Sequence, residues 1–301
     1  MRQINWEAHK AHRQQVITDS TITTGGQVTA GCWLGLLDED FVPIVDLPQV
    51  TKMDWPDIRG SIDSVEITLR VRTPSGGTHR VVSELVADNL GKVDAVGKLV
   101  PVSGPVRLVE LRQGEGEQRT MLVTHAKAEG DADSPHTLTI YGVSALGYLD
   151  LLPCPSNPLS WTGEFTRFER DWVGPEDAKA LFISPRDLAP CTMITVADGA
   201  SVEGKADEVI YRLVKESLEA VHRVRGIVED PFYVAVLDES RGAAEQMIHR
   251  PTDQTIWQEI GERALTAGVS VRAQLWWPGD DPIQGYDLKL PTLVFRIRQE
   301  A

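Results

Sequence analysis

Few residues in this 301-residue chain stand at spacings that could do chemistry. Gly142-Val143-Ser144-Ala145-Leu146-Gly147 comes nearest to a nucleophile elbow. A true elbow has glycine two residues after the serine, and that position here is Leu146. Ser144 reads instead as the start of a helix. Gly114-Glu115-Gly116 lacks the third glycine of a dinucleotide fingerprint, and Glu115 and Glu117 would repel a pyrophosphate. The acidic clusters Asp38-Glu39-Asp40 and Asp280-Asp281 could in principle work as an acid/base pair. Catalytic carboxylates usually face one another across a cleft from separate elements, whereas adjacent acids in turns are usually solvated. His9 and His12 share a helical face, but no third metal ligand is in view. The other histidines (His79, His125, His136, His222 and His249) are dispersed. Cys32, Cys154 and Cys191 form neither a zinc pair nor a disulfide framework and read as reduced, mostly buried thiols. The expectation is a protein without catalytic residue, metal or cofactor.

Composition narrows the classes further. Hydrophobic residues make up 42% and charged residues 25%, as in an ordinary globular chain. Thirty Lys and Arg stand against forty-four Asp and Glu, a net charge of −14. That balance argues against a protein built to grip nucleic acid or an anionic membrane, since both need clustered cations. No apolar run approaches the roughly 18 residues of a membrane span, and the opening residues lack the apolar core of a secretory signal. A chain folded in a reducing cytoplasm, without a membrane anchor, is expected.

The elements that would hold these residues are mostly strands. Residues 1–29 read as a polar arm, followed by a first module over 30–152. Cys32–Leu37 and Phe41–Val45 make two strands around the acidic turn. From Ser64 to Arg72, Val65, Ile67, Leu69 and Val71 alternate with polar partners, the period of a half-buried strand. Pro74-Ser75-Gly76-Gly77 then predicts a hairpin, with Arg80–Val86 returning as a strand. Strands follow at 105–112, 120–127 and 136–141, and a short helix over 143–152 stops at Pro153 and Pro155. The proline-rich stretch 153–200 and the helix after it form an extended connector, 153–230, with short strands. That helix spans Ala206–Arg225, with an apolar stripe and Gly226 at its end. Residues 231–301 hold strands at 232–237, 269–277 and 292–297. Thr255 and Gln258 form a capping box for a further helix. The fold class expected is mainly β with α+β insertions: two small β-barrel or β-sandwich modules, the second completed by 231–301.

One passage carries a resemblance. Thr137-Leu138-Thr139-Ile140-Tyr141-Gly142, then Ser144-Ala145-Leu146-Gly147-Tyr148-Leu149, then Leu152-Pro153-Cys154-Pro155 is a strand ending in glycine, a short helix and a proline exit. This resembles the hub-type minor tail proteins of long-tailed phages infecting actinobacteria. The helix ending in Gly268-Val269-Ser270-Val271 is similar to the end of that family. The resemblance covers roughly residues 30–300 in outline, and its motifs are structural, so no catalytic residue is carried over.

The resemblance implies a tail-hub-like pair of β modules and a homo-oligomeric ring, a trimer or less readily a hexamer, in a virion tail assembled in the host cytoplasm. Its partners would be the tube, distal tail, tape-measure and tip-fibre proteins. DNA would pass without tight binding, beside an acidic lumen wall drawn from Asp38, Glu39, Asp40, Glu115 and Glu117. Large aromatics supply much interface energy, which makes Trp161, Phe165, Trp172 and Trp277 candidate contacts between subunits. The resemblance equally admits a distal tail ring protein. Two other classes remain open from the residues: a carbohydrate-binding β-sandwich that uses exposed tryptophan, and a hydrolase with a carboxylate site.

Overall fold

A computed structural model describes residues 4–24, 27–29, 31–86, 92–93, 95–96, 99–100, 104–131, 134–155, 162–170, 187–198 and 201–300. The chain is mainly β. It opens with helix α1 (Trp6–Ser20), capped where the Asn5 side chain accepts from the Ala8 amide. The short strands β1 (Ile22–Thr24) and β2 (Gln27–Thr29) pair as a hairpin. Then come β3 (Cys32–Leu37), β4 (Pro43–Asp46), β5 (Val50–Asp54), β6 (Ser64–Arg70) and helix α2 (Arg80–Leu85). The two-residue strands β7 (Lys92–Val93) and β8 (Leu99–Val100) precede β9 (Leu108–Gln113), β10 (Gln118–Asp131) and β11 (Ser134–Ser144).

Seven of these strands form one curled antiparallel sheet in the order β4-β3-β9-β10-β11-β6-β5. The alternation read at Val65, Ile67 and Leu69 is the inner face of β6, where these side chains meet Val109, Met121 and Ile140. Strand β3 has no polar alternation because both its faces are covered. Leu34 and Leu36 enter the curl, while Trp33 and Leu37 join a second core on the other side. Gly35 makes room for Trp33: a Cβ there would lie 2.2 Å from the indole. The segment Arg80–Val86, expected as a returning strand, is instead helix α2, whose Val81 and Val82 close the curl. A run of only seven residues gives periodicity too little length to separate the two readings.

After β11 a 3-10 helix, Ala145–Asp150, carries five consecutive buried residues into the second core. The proline exit is pinned rather than loose. Pro153 bridges to Thr255, the Cys154 amide donates to the Gln254 carbonyl, and Thr255 Oγ1 donates to Asp150. Residues 153–200 were expected to be an extended connector with short strands. Their described part is a long hairpin, β12 (Thr162–Arg170) with β13 (Asp187–Asp198).

Next come β14 (Val202–Lys205), α3 (Ala206–Val224), β15 (Tyr233–Leu237), β16 (Gln246–His249), α4 (Ile256–Thr266), β17 (Val269–Trp276) and β18 (Thr292–Gln299). Both long helices end where read, at Gly226 (φ 69°) and Gly268 (φ 72°), and Thr255 caps α4 by accepting from the Gln258 amide. Among the described residues β15-β18-β17 form an open three-stranded sheet, not a closed second barrel. Its alternate residues Leu293, Phe295 and Ile297 meet α3 and α4 in the second core. The opposite face packs Val234, Val236, Trp276 and Val294 against Ile283.

The polar arm, α1, is fixed to the body by a cluster of rings and ions. Trp277 is fully covered, and its indole N–H donates to the Phe41 carbonyl at 2.9 Å. Trp6 stacks on it at 6.1 Å, and His9 and Trp33 meet it edge-on at 5.2 and 5.9 Å. The guanidiniums of Arg13 and Arg112 each lie 4.6 Å from its ring centroid. Asp280 pairs with both arginines, at 3.4 and 3.3 Å, and accepts from the Trp277 amide. Arg112 also pairs at 2.5 Å with Glu110, which Thr120 Oγ1 hydrogen-bonds. Burial pushes Glu110 up to about 7, against the pull of Arg112. His9, with neither ring nitrogen partnered, is driven down to about 4 by burial and then by Arg13.

Two predictions follow from this cluster. Trp277→Ala should cost about 3–5 kcal/mol of stability in chemical denaturation; a loss below about 1 kcal/mol would show that the ring is not packed as described. His9→Phe keeps the aromatic contacts and removes the imidazole. A histidine whose folded pKa lies below its unfolded one gives stability that is present above about 6.5 and lost as pH falls towards 4. Glu110 has the opposite slope, losing stability as pH rises from about 4.5 to 7. The variant should therefore gain on the wild type as pH falls through the histidine window, read from urea midpoints at two pH values. A difference that does not change with pH would count against it.

Candidate functional site: an arginine-lined cleft

A cleft of about 840 Å³ opens where the curled sheet meets the three-stranded sheet. Its walls are the 55–63 loop, the start of β10, the end of β11, and the outward residues of β17 and β18. Six of the chain's 21 arginines line it, Arg59, Arg119, Arg241, Arg272, Arg296 and Arg298, and no lysine does among the described residues. Five carboxylates share the lining in a chain whose net charge is −14. The cleft therefore gathers arginines, interleaved with carboxylates, on an acidic molecule.

The arginines fall into two groups. Arg119, Arg296 and Arg298 are about a quarter to a third exposed and firmly held. Arg119 pairs with Glu117 and donates to the Trp55 carbonyl at 2.6 Å. Arg296 donates to Asp238 and Gln274, both at 2.6 Å, and Arg298 pairs with Glu300 at 2.7 Å. Arg241 and Arg272 at the rim are more than 60% exposed, with carboxylates only at 3.7 and 3.9 Å. Arg59 is exposed beside them. Held guanidiniums with open rim neighbours present fixed donor forks to an incoming carboxylate or phosphate. Asp63 lines the floor, 6% exposed; its Oδ2 accepts from the Ile58 amide and its Oδ1 has no partner. Ser144 lies beside it, and its Oγ accepts from the Asp63 amide at 3.2 Å. That contact ties the start of β6 to the end of β11.

The residues singled out from the sequence are dispersed. Trp277 was a candidate subunit contact, and the structure corrects this: the ring is fully covered inside the subunit, as the core of the cluster on α1. Trp276 faces the other side of the sheet, as adjacent strand residues must, and is also covered because Ile283, Tyr286 and Leu288 fold over it. Trp161 and Trp172 lie outside the described residues. Phe165 sits on β12, with its side chain outside them.

In the acidic turn Asp38 accepts from the Asp40 and Val42 amides, so it shapes the turn, while Glu39 is exposed. Glu117 holds Arg119; Glu115 lies in the turn Gly114–Gly116, its side chain outside the described residues. Register places these two acidic turns at opposite ends of the β3–β9 ladder, since Leu37 pairs with Leu108 and Cys32 with Gln113. His12 pairs with Asp46 at 2.6 Å, and His9 lies in the tryptophan cluster. Among the described residues no group of three or more His, Cys, Asp or Glu could hold a metal ion. No described helix is long and apolar enough to cross a membrane.

Sequence reading missed one buried polar group. His249 and Glu259, both almost fully covered, bond at 2.9 Å, and Glu259 also accepts from the Thr252 amide and hydroxyl. Cys154 belongs to the same core. Burial pushes its thiol up to about 11, against a hydrogen bond with Ser217, so it stays protonated and unreactive at neutral pH. His249 and Glu259 are ten residues apart on a strand and a helix, a spacing no local pattern reports.

No family model matches the chain, and no curated protein matches it.

Cys154 provides the check on this core. In the native protein it should resist a thiol-alkylating reagent at neutral pH and react fully once the chain is unfolded. Rapid labelling of native Cys154, mapped by peptide mass, would make it a nucleophile candidate again.

Proposed function

We propose that this chain is a structural component of a phage tail tip: a ring-forming hub that joins the tail tube to the tip or central fibre and helps close the DNA channel. The observation that carries the reading is the way Thr137–Pro155 is built. β11 runs past Gly142, where a Cβ would lie 2.3 Å from the Leu122 carbonyl, so only glycine lets β10 and β11 approach there. The 3-10 helix then enters the second core, and the proline exit pins itself to the start of α4. The passage that resembles the hub family is thus the joint between the two sheets, a part whose shape matters more than its chemistry. The acidic balance suits a wall along which DNA passes without sticking.

Gold-labelled antibody against the chain should mark the distal end of the tail tube in assembled particles, and removing the gene should give tails without a closed tip. Absence of the chain from purified particles, or label on the capsid, would overturn the reading.

A further inference from the structure

We propose that copies of this chain associate head to tail, the acidic tip of the β10–β11 hairpin of one copy entering the arginine-lined cleft of the next. The inference rests on the self-assembling reading above and supplies the contact that reading needs. Both halves of the contact lie on one element. β10 begins at the cleft, where Gln118, Arg119 and Thr120 form part of its wall. It ends at Asp131, which pairs across the hairpin with Ser134. At a strand rise of about 3.3 Å, Thr120 and Asp131 stand about 35 Å apart. A strand does not fold back over that distance, so the tip meets a cleft only on another molecule.

The tip is built to project. β9 pairs with β10 only from Gln118 to Leu122. Beyond Val123, whose amide donates to the Arg107 carbonyl, the outer edge of β10 has no strand partner among the described residues. Residues 127–131 are all exposed. Glu129 and Asp131 put two exposed carboxylates there. Lys127 offsets Glu129 at 2.7 Å, and His136 meets Asp131 at 2.8 Å, with the Asp131 side chain still 79% exposed.

The cleft supplies the complement. Its rim arginines, Arg59, Arg241 and Arg272, have the loosest internal pairing, so they can turn to a second carboxylate without leaving the first buried and alone. Arginine without lysine is the composition of a protein contact surface, where lysine is depleted. A contact between two different patches of the same chain is heterologous, and it generates a ring when its rotation closes.

Charge reversal tests the contact in both directions. Arg241→Glu with Arg272→Glu reverses the rim, and Glu129→Arg with Asp131→Arg reverses the tip; all four positions are exposed, and unchanged unfolding midpoints verify the fold. Each double variant should weaken self-association of the full chain by about tenfold or more, read as mass by sedimentation equilibrium. Mixing the two should restore assembly, because the tip of each then matches the cleft of the other. The quadruple variant should assemble alone. A wild type that stays at 33.2 kDa at every concentration overturns the contact. Wild-type oligomers that neither reversal weakens also overturn it, while leaving the hub reading to the particle-labelling experiment. Weakening without rescue in the mixture overturns the pairing of tip with cleft.

Discussion

One half-buried carboxylate ties the parts of this structure together. Asp280 bonds two guanidiniums, Arg13 from α1 and Arg112 from β9, and both lie over the ring of Trp277. It also caps the turn after β17 by accepting from the Trp277 amide. Three parts of the chain therefore meet on a single side chain: the amino-terminal helix, the curled sheet and the carboxy-terminal sheet. Charges taken out of water gain little net stability, but losing one member strands the others in a low-dielectric site at several kcal/mol. The network consequently specifies one docking of the parts more than it strengthens the fold. Glu110 sharpens the point, since it is fully covered and tolerated only beside Arg112 and Thr120.

The cleft depends on that docking. Its two walls come from opposite sides of the junction, β10 with the 55–63 loop on one and β17 with β18 on the other. The same β17 strand leads directly into Trp277 and the Asp280 turn. Arg112 extends the link by donating to the Leu275 carbonyl at 2.6 Å. Sites carried on strands keep their spacing better than sites carried on loops. The held arginines Arg296 and Arg298 stand on β18, the central strand of its sheet, and so inherit the rigidity of the junction.

The sequence was most readable where one face is wet. The alternation of β6, the stripe and ends of α3 and the capping box of α4 appear at or near their expected positions, because period and cap are local signals. It was least readable where residues serve a distant partner. Trp277 could not be placed from strand parity alone, since its cover is α1, more than 260 residues earlier. α1 itself has no apolar stripe and looked like an arm; it docks through Trp6, His9 and Arg13, residue types that a hydrophobic pattern ignores. The arginine cleft was invisible for a related reason. Its six arginines are spread from residue 59 to residue 298, and only the meeting of the two sheets brings them together.

The same scattering changes how the net charge is understood. A value of −14 suggests a uniformly acidic surface, yet electrostatic influence in salt extends only about 8 Å. The turns at Asp38–Asp40 and Glu115–Glu117 lie at opposite ends of the β3–β9 ladder, so neither feels the other across that distance. Asp38 is taken up by the two amides of its own turn, and Glu117 is paired with Arg119. What a partner meets is therefore a set of local surfaces of different sign. The cleft is the cationic one, the β10–β11 tip is an anionic one, and β10 fixes the distance between them. In the head-to-tail contact proposed above, these two patches would be matched between neighbours, and each neighbour would leave one patch free for another.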